Sequence, residues 1–311
     1  MRRSVALAFL TLLTWQSAYA SPIGIYWTDR YGGTVNYSDL NGLNSTTLVS
    51  GLAAPGGGMA ITNDFIYWTD LAGNTIWRAG LGGAGSGALF STAGTPRDVA
   101  VTSNSIYWVS TGALDSVSKS NLDGTGASAL VTTGMSFPTG ISLFGGMLYW
   151  SDSGTTSINR SNLDGSGVTT LLSGLPITQL PDDVFVTDQF IYWTTRDVAL
   201  TQGGTPTPGT IQRANLDGTN MMTLITDLTF PQSLVVTNDF LYWTDMYAGK
   251  IQRADLTGTG KTDLIVGLTS PVGLAVVTGA VPEPGTLVLF SLGFAFIGLS
   301  RRIRSNQSSS L

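Results

Sequence analysis

The chain has 311 residues, with 20 acidic and 15 basic side chains, 39 glycines, a single glutamate and neither cysteine nor histidine. Disulfides and imidazole or thiolate chemistry are therefore excluded. Three lysines and Glu283 supply few straight-chain helix formers, whereas Thr, Val, Ile, Tyr and Trp favour strands and Gly, Asn and Asp favour turns, so the expected class is all-β. Between residues 21 and 280, 19 acidic side chains stand against 10 basic ones. Nucleic-acid binding, which needs clustered Lys and Arg, is not expected from that balance.

At the N-terminus, Arg2 and Arg3 precede an apolar run over residues 5–13 and the small-x-small ending Ala18-Tyr19-Ala20. These are the three parts of a secretory signal peptide, predicting cleavage after Ala20 and export.

From there a repeat sets the organisation. Tyr-Trp recurs as Tyr26-Trp27, Tyr67-Trp68, Tyr107-Trp108, Tyr149-Trp150, Tyr192-Trp193 and Tyr242-Trp243, with spacings of 41, 40, 42, 43 and 50 residues. A period near 41 with four short apolar runs per repeat predicts one propeller blade each. The first run has the form Pro-x-x-apolar-x-apolar, at 96–101, 138–143, 181–186, 231–236 and 271–276, with 56–61 as a version carrying Gly for Pro. The second holds Tyr-Trp. The third has the form Ile-x-Arg-x-x-Leu, at 76–81, 158–163, 211–216 and 251–256 with looser copies at 35–40 and 117–122, and pairs such as Leu171-Leu172 make the fourth. Asn-Leu-Asp-Gly at 121–124, 162–165 and 215–218 supplies a hairpin turn between the third and fourth. Tyr26-Trp27 has no first run before it, and 271–277 has no Tyr-Trp after it. Each end completes the other's blade, which predicts a closed six-bladed ring over residues 21–280 without open edges between blades.

Ile25-Tyr26-Trp27-Thr28-Asp29, Ile66-Tyr67-Trp68-Thr69-Asp70 and Leu241-Tyr242-Trp243-Thr244-Asp245 resemble the YWTD repeat of LDL-receptor class B propellers, and Leu148-Tyr149-Trp150-Ser151-Asp152 is close. The resemblance runs from about residue 23 to 278. It implies a six-bladed β-propeller with the motif on the second strand in a structural role, and family members bind protein ligands over one face. Val109-Ser110 and Thr194-Thr195 replace Thr-Asp, so two blades are expected to lack the acid's hydrogen bonds. Without cysteine the chain carries no adjoining EGF-like module, and without histidine it cannot copy an acid-triggered release.

In such a blade the loops entering strand one and joining strands two and three share one face. There, after Pro or its replacement, the blades read Gly57-Gly58, Arg97-Asp98, Thr139-Gly140, Asp182-Asp183, Gln232-Ser233 and Val272-Gly273. The charged pairs, with Arg196, Asp197 and a Thr-, Gly- and Pro-rich insertion over residues 195–209, mark a candidate partner-binding face formed by Arg97, Asp98, Asp182, Asp183, Arg196, Asp197 and Gln232. Turn capping by the aspartates and a neutral surface loop are the structural alternative. A Ca²⁺ site from Asp98, Asp182 and Asp183 is chemically allowed because Ca²⁺ takes oxygen ligands; it would suit a lactonase- or lyase-like propeller enzyme of the envelope. Against that enzyme, the propeller region has no Glu or His, and fold alone assigns no activity.

Toward the C-terminus, Pro282-Glu283-Pro284 leads into an apolar stretch over 285–300 and then Arg301, Arg302 and Arg304, before a polar tail at 305–311. As a helix the stretch spans about 24 Å at ~1.5 Å per residue, short for a ~30 Å hydrocarbon core unless arginines snorkel. The positive-inside rule keeps those arginines cytoplasmic and the propeller outside. Residues 281–304 resemble the PEP-CTERM sorting signal. That resemblance implies a bacterial protein handed to exosortase-type processing machinery, anchored in the inner membrane before processing, then placed at the cell surface or in an exopolysaccharide matrix. A partner there would be a protein or polysaccharide. A plain membrane anchor is the simpler alternative.

Overall fold

The computed structural model describes residues 23–197 and 208–279, so the signal-peptide segment, most of the insertion and the C-terminal segment lie outside the described residues. Within them the chain forms 24 strands, β1 to β24 in chain order, and no helix. The strands make six four-stranded antiparallel sheets, the expected six blades. Five blades are built from consecutive strands. The sixth joins β24 (Pro271–Val277) to β1 (Gly24–Asp29), β2 (Thr34–Ser38) and β3 (Thr46–Val49). Gly24 pairs with Val277 and Trp27 with Leu274, so both ends of the propeller share one sheet and the ring closes as the repeat predicts.

The Tyr-Trp pair explains how neighbouring blades adhere. Successive side chains on a strand point to opposite faces, so Tyr looks toward one neighbouring blade and Trp toward the other. The cores accordingly pair Tyr26 with Trp68, Tyr67 with Trp108, Tyr107 with Trp150, Tyr149 with Trp193, Tyr192 with Trp243, and Tyr242 with Trp27. The last pair carries the series across the chain ends. All twelve side chains are buried, and large rings contribute most to such interfaces.

The motif's acid ties the loop entering strand one to the loop after strand two. Asp29 accepts N–H groups of Gly32, Thr269 and Ser270 at 2.9–3.0 Å, and Asp245 those of Thr229 and Phe230. Asp70 and Asp152 do the same in their blades. Where Ser110 stands instead, its hydroxyl is buried without a partner, and the nearby Asp115 accepts N–H groups of Gly112 in its own blade and Phe137 at the entry to the next. Thr195 instead pairs its hydroxyl with that of Thr210 at 2.7 Å.

One alignment of the repeat needs correction. Pro55, not Gly56, is the blade's proline: it pairs with Asp70 as Pro138 pairs with Asp152 and Pro231 with Asp245. Three residues, Gly56 to Gly58, then precede Met59 opposite Trp68, against two in the other blades; glycine accommodates the extra residue without crowding.

On the opposite face the Asn-Leu-Asp-Gly turns close through Gly124 N–H to Asn121 C=O at 3.0 Å, with Gly124 at φ +84°. That left-handed conformation is why Gly follows Asp there.

Candidate ligand site at the channel mouth

The inner strands β4 (Pro55–Ile61), β8 (Thr95–Val101), β12 (Pro138–Phe144), β16 (Gln179–Val186), β20 (Pro231–Val236) and β24 contact one another in sequence around the ring. Each carries an irregularity after its proline. In β16, for example, Pro181 pairs with Thr195 and Val184 with Trp193, leaving Asp182 and Asp183 opposite Thr194 alone. Such bulges re-aim side chains.

In five of the six blades the motif's Thr or Ser hydroxyl holds the bulge, Val109 standing at that position in the blade of β8. Thr194 accepts the Asp183 N–H at 3.0 Å and donates to the Gln232 carbonyl of the next blade at 3.0 Å. Ser151 takes the Gly140 N–H and reaches the Asp182 carbonyl, and Thr244 links Ser233 to Val272. The structural repeat therefore positions the two residues that line the channel.

Those two residues have different jobs. Asp98 accepts the Ile141 N–H of the next blade at 2.7 Å, and Asp183 accepts the Leu234 N–H at 2.7 Å and the Ser233 hydroxyl. Both are ties between blades. Asp182 instead faces Arg196 (Nε to Oδ1 3.3 Å) and accepts a hydrogen bond from the Gln232 side chain. Arg97 donates from Nε to Thr111 Oγ1 at 2.9 Å, and its Cζ lies 4.6 Å from the centre of the Phe137 ring, which Arg196 approaches to 5.7 Å.

Arg97, Asp98, Asp182, Asp183, Arg196 and Gln232 all line one cavity of about 170 Å³. Asp197 ends β17 (Phe190–Asp197), where the insertion leaves the described residues at 198–207. The cavity also holds residues the sequence reading passed over: Arg30 and Tyr31, Met246 and Tyr247, Phe137 and Phe230. Arg30-Tyr31 and Met246-Tyr247 follow a motif Asp directly. The signal for them was their place between strands two and three, on the face already singled out.

Three guanidiniums, of Arg30, Arg97 and Arg196, meet three carboxylates here. The carboxylates keep some accessible surface in the channel, yet protein surrounds them closely enough that desolvation governs their acidity. Burial pushes Asp98 well above the usual carboxylate range, helped by the charge of Asp183. It pushes Asp183 up to about 7, against the N–H groups of Leu234 and Val184. Asp182 is also raised by burial, while Arg196, Arg97 and Arg30 pull it back. Burial lowers Arg30 and Arg97. Arg30 Nε is buried with no hydrogen-bond partner. Burial thus disfavours the charged forms of carboxylates and guanidiniums alike, and each sign offsets the other within one cavity.

Among the described residues no group of three or more carboxylates is gathered to hold a metal ion. Asp98 and Asp183 spend their oxygens on backbone N–H groups, and guanidiniums surround Asp182, so these residues do not fit a Ca²⁺ ligand set.

Residues 280–304 match the model of the PEP-CTERM protein-sorting motif family. The chain carries a PEP-CTERM sorting motif. No curated protein matches the chain in sequence. Among solved structures, a chain of the "Crystal structure of Nidogen/Laminin Complex" is similar with a TM-score of 0.70 and 20% identity, covering 82% of this chain and 98% of that one. At this identity the likeness is one of fold. It agrees with the YWTD-type six-bladed propeller read from the repeat.

Proposed function

We propose that this chain is an exported, non-catalytic binding protein, delivered through its PEP-CTERM signal and capturing a component of the cell surface or matrix at the channel mouth. The sorting motif supports the route and implies exosortase-type processing. One observation carries the binding reading: a cavity where three arginines, Arg30, Arg97 and Arg196, converge beside the exposed rings of Tyr31 and Tyr247. Catalysis finds no equivalent support, since two of the three carboxylates are structural ties.

In this reading the signal peptide starts export and the apolar C-terminal segment holds the chain at the inner membrane until processing releases it. The test is capture of surface and matrix material by the immobilised exported protein. Arg97→Gln and Arg196→Gln together should abolish capture while leaving the melting temperature within a few degrees. Undiminished capture by that double variant would remove the channel mouth from the binding reading.

A further inference from the structure

The mouth combines features that narrow the class of ligand. Its floor offers planar guanidinium forks, which match a carboxylate in bidentate fashion. Its rim exposes large rings in a setting that is otherwise polar: Tyr31 is 71% exposed, Tyr247 55% and Phe137 37%. Tyr247 is held rather than dangling, with its ring centre 4.8 Å from that of Phe230. Arg30 lines the same cavity as Tyr31 and Tyr247, whose phenols both act on its charge. Beside them, the Asp182 carboxylate and the Gln232 amide present an acceptor and a mixed donor–acceptor.

Rings that pack against C–H faces, forks that take a carboxylate, and a neighbouring pair that matches hydroxyls together describe one kind of unit. The cavity of about 170 Å³ holds on the order of ten water molecules, room for a single small ring. A phosphate ion would use the arginines and leave the rings idle. An acidic peptide side chain would use one fork, with no ring to lay on the tyrosines.

Resting on the reading of the mouth as a binding site, we propose that it seats an acidic sugar residue, a uronate of a polysaccharide, with its carboxylate on Arg30 and Arg97 and its ring against Tyr31 or Tyr247. Asp182 and Gln232 then take ring hydroxyls. The affinity of one such unit is modest, and a polymer gains avidity by offering many.

The probe is trigalacturonate, titrated calorimetrically into the exported protein and compared with its methyl ester, with maltotriose, and with a peptide of Asp and Glu residues. Trigalacturonate should bind, with the methyl ester and maltotriose weaker by about tenfold or more, since they lack the charge. Arg30→Lys keeps the charge and loses the fork; with Tyr31→Ala, each should weaken binding by about three- to tenfold. Neither side chain has a hydrogen-bonding partner that folding depends on, and an unchanged melting temperature checks this. Equal binding of the ester, or tighter binding of the peptide, would overturn the uronate assignment. So would absence of trigalacturonate binding in a protein that still captures surface material through Arg97 and Arg196, and there the binding reading survives. Loss of both would remove the two together.

Discussion

Ring closure rests on the pairing of β24 with β1, and the Asp29 side chain adds two further bonds across the whole length of the chain. Asp29 is 5% exposed as a residue, and its carboxylate accepts N–H groups of Thr269 and Ser270, 240 and 241 residues away, besides that of Gly32. Asp29→Ala removes three charge-assisted bonds and strands three donors. Hydrogen bonds to charged groups contribute about 1.5–3 kcal/mol each, but the Gly32 N–H sits in a turn that water can reach. Two fully felt losses and one partial loss give roughly 4–7 kcal/mol. At about 2–4 °C per kcal/mol for a domain of this size, the melting temperature should fall by about 10–20 °C. Asp70→Ala is the internal control. It breaks one good bond, to Gly73 at 2.7 Å, and a long one to Ala54 at 3.4 Å, inside a blade made of consecutive strands. Its fall should be about half as large. Calorimetry on both variants decides the matter: if Asp29→Ala melts within 2 °C of the parent, or no lower than Asp70→Ala, then closure does not depend on the bonds described.

Further predictions follow the same ties. Ending the chain at Leu268 deletes β24, and the remainder should unfold as a unit at a far lower temperature, measured by circular dichroism; survival at the parent temperature would refute closure by β24 on β1. Asp183, raised to about 7 by burial, binds its proton more tightly folded than unfolded, so its contribution is full below the ordinary carboxylate range and is lost as pH rises through 7. Stability should therefore decline from about pH 5 to pH 8, and Asp183→Asn should flatten that slope while lowering stability at pH 5. Gly140→Ala would bring a Cβ to 2.7 Å from the Asp183 Cα and should cost about 1–3 kcal/mol, read from the denaturation midpoint. Mass spectrometry of the released protein should find an N-terminus near Ser21 and no 301–311 tail; an intact tail would contradict sorting by the C-terminal signal.

Much of the fold was legible because its rule is periodic. Tyr and Trp two faces apart on every second strand, a proline before every bulge, and Asp-Gly at the opposite turns each recur often enough to set register without coordinates. The slip at Pro55 shows the limit: one inserted glycine leaves the pattern readable as Gly56 in proline's place, and only the pairing of Pro55 with Asp70 corrects it. The cavity was half legible. Its bulge residues stood out as charged among small ones, whereas Arg30, Tyr31 and Tyr247 look like ordinary turn residues until the ring brings blades far apart in sequence together. Nothing local distinguishes Asp182 from Asp183 either; they part because adjacent residues in a bulge face different neighbours.

That parting says where selectivity can reside. At the second bulge position a side chain meets the next inner strand: a Cβ on Gly58 would stand 2.5 Å from the Asp98 Cα, and one on Gly140 just as crowded against Asp183. The side chains found there bond to a neighbouring inner strand: Asp98 and Asp183 accept its N–H groups, and Ser233 donates to Asp183. At the first position the constraint lifts, since a Cβ on Gly57 would find no atom closer than 3.8 Å. Arg97, Thr139, Asp182 and Gln232 occupy that freer position, and Arg30, Tyr31 and Tyr247 the turns beside it. Substitutions at these sites should change what the mouth accepts with little effect on the ring, whereas Asp98 and Asp183 should trade mainly in stability. Gly57→Ala, which adds one methyl group to open space, should leave the melting temperature within about 1 °C; a large fall would show that the first position is bound by the same packing as the second.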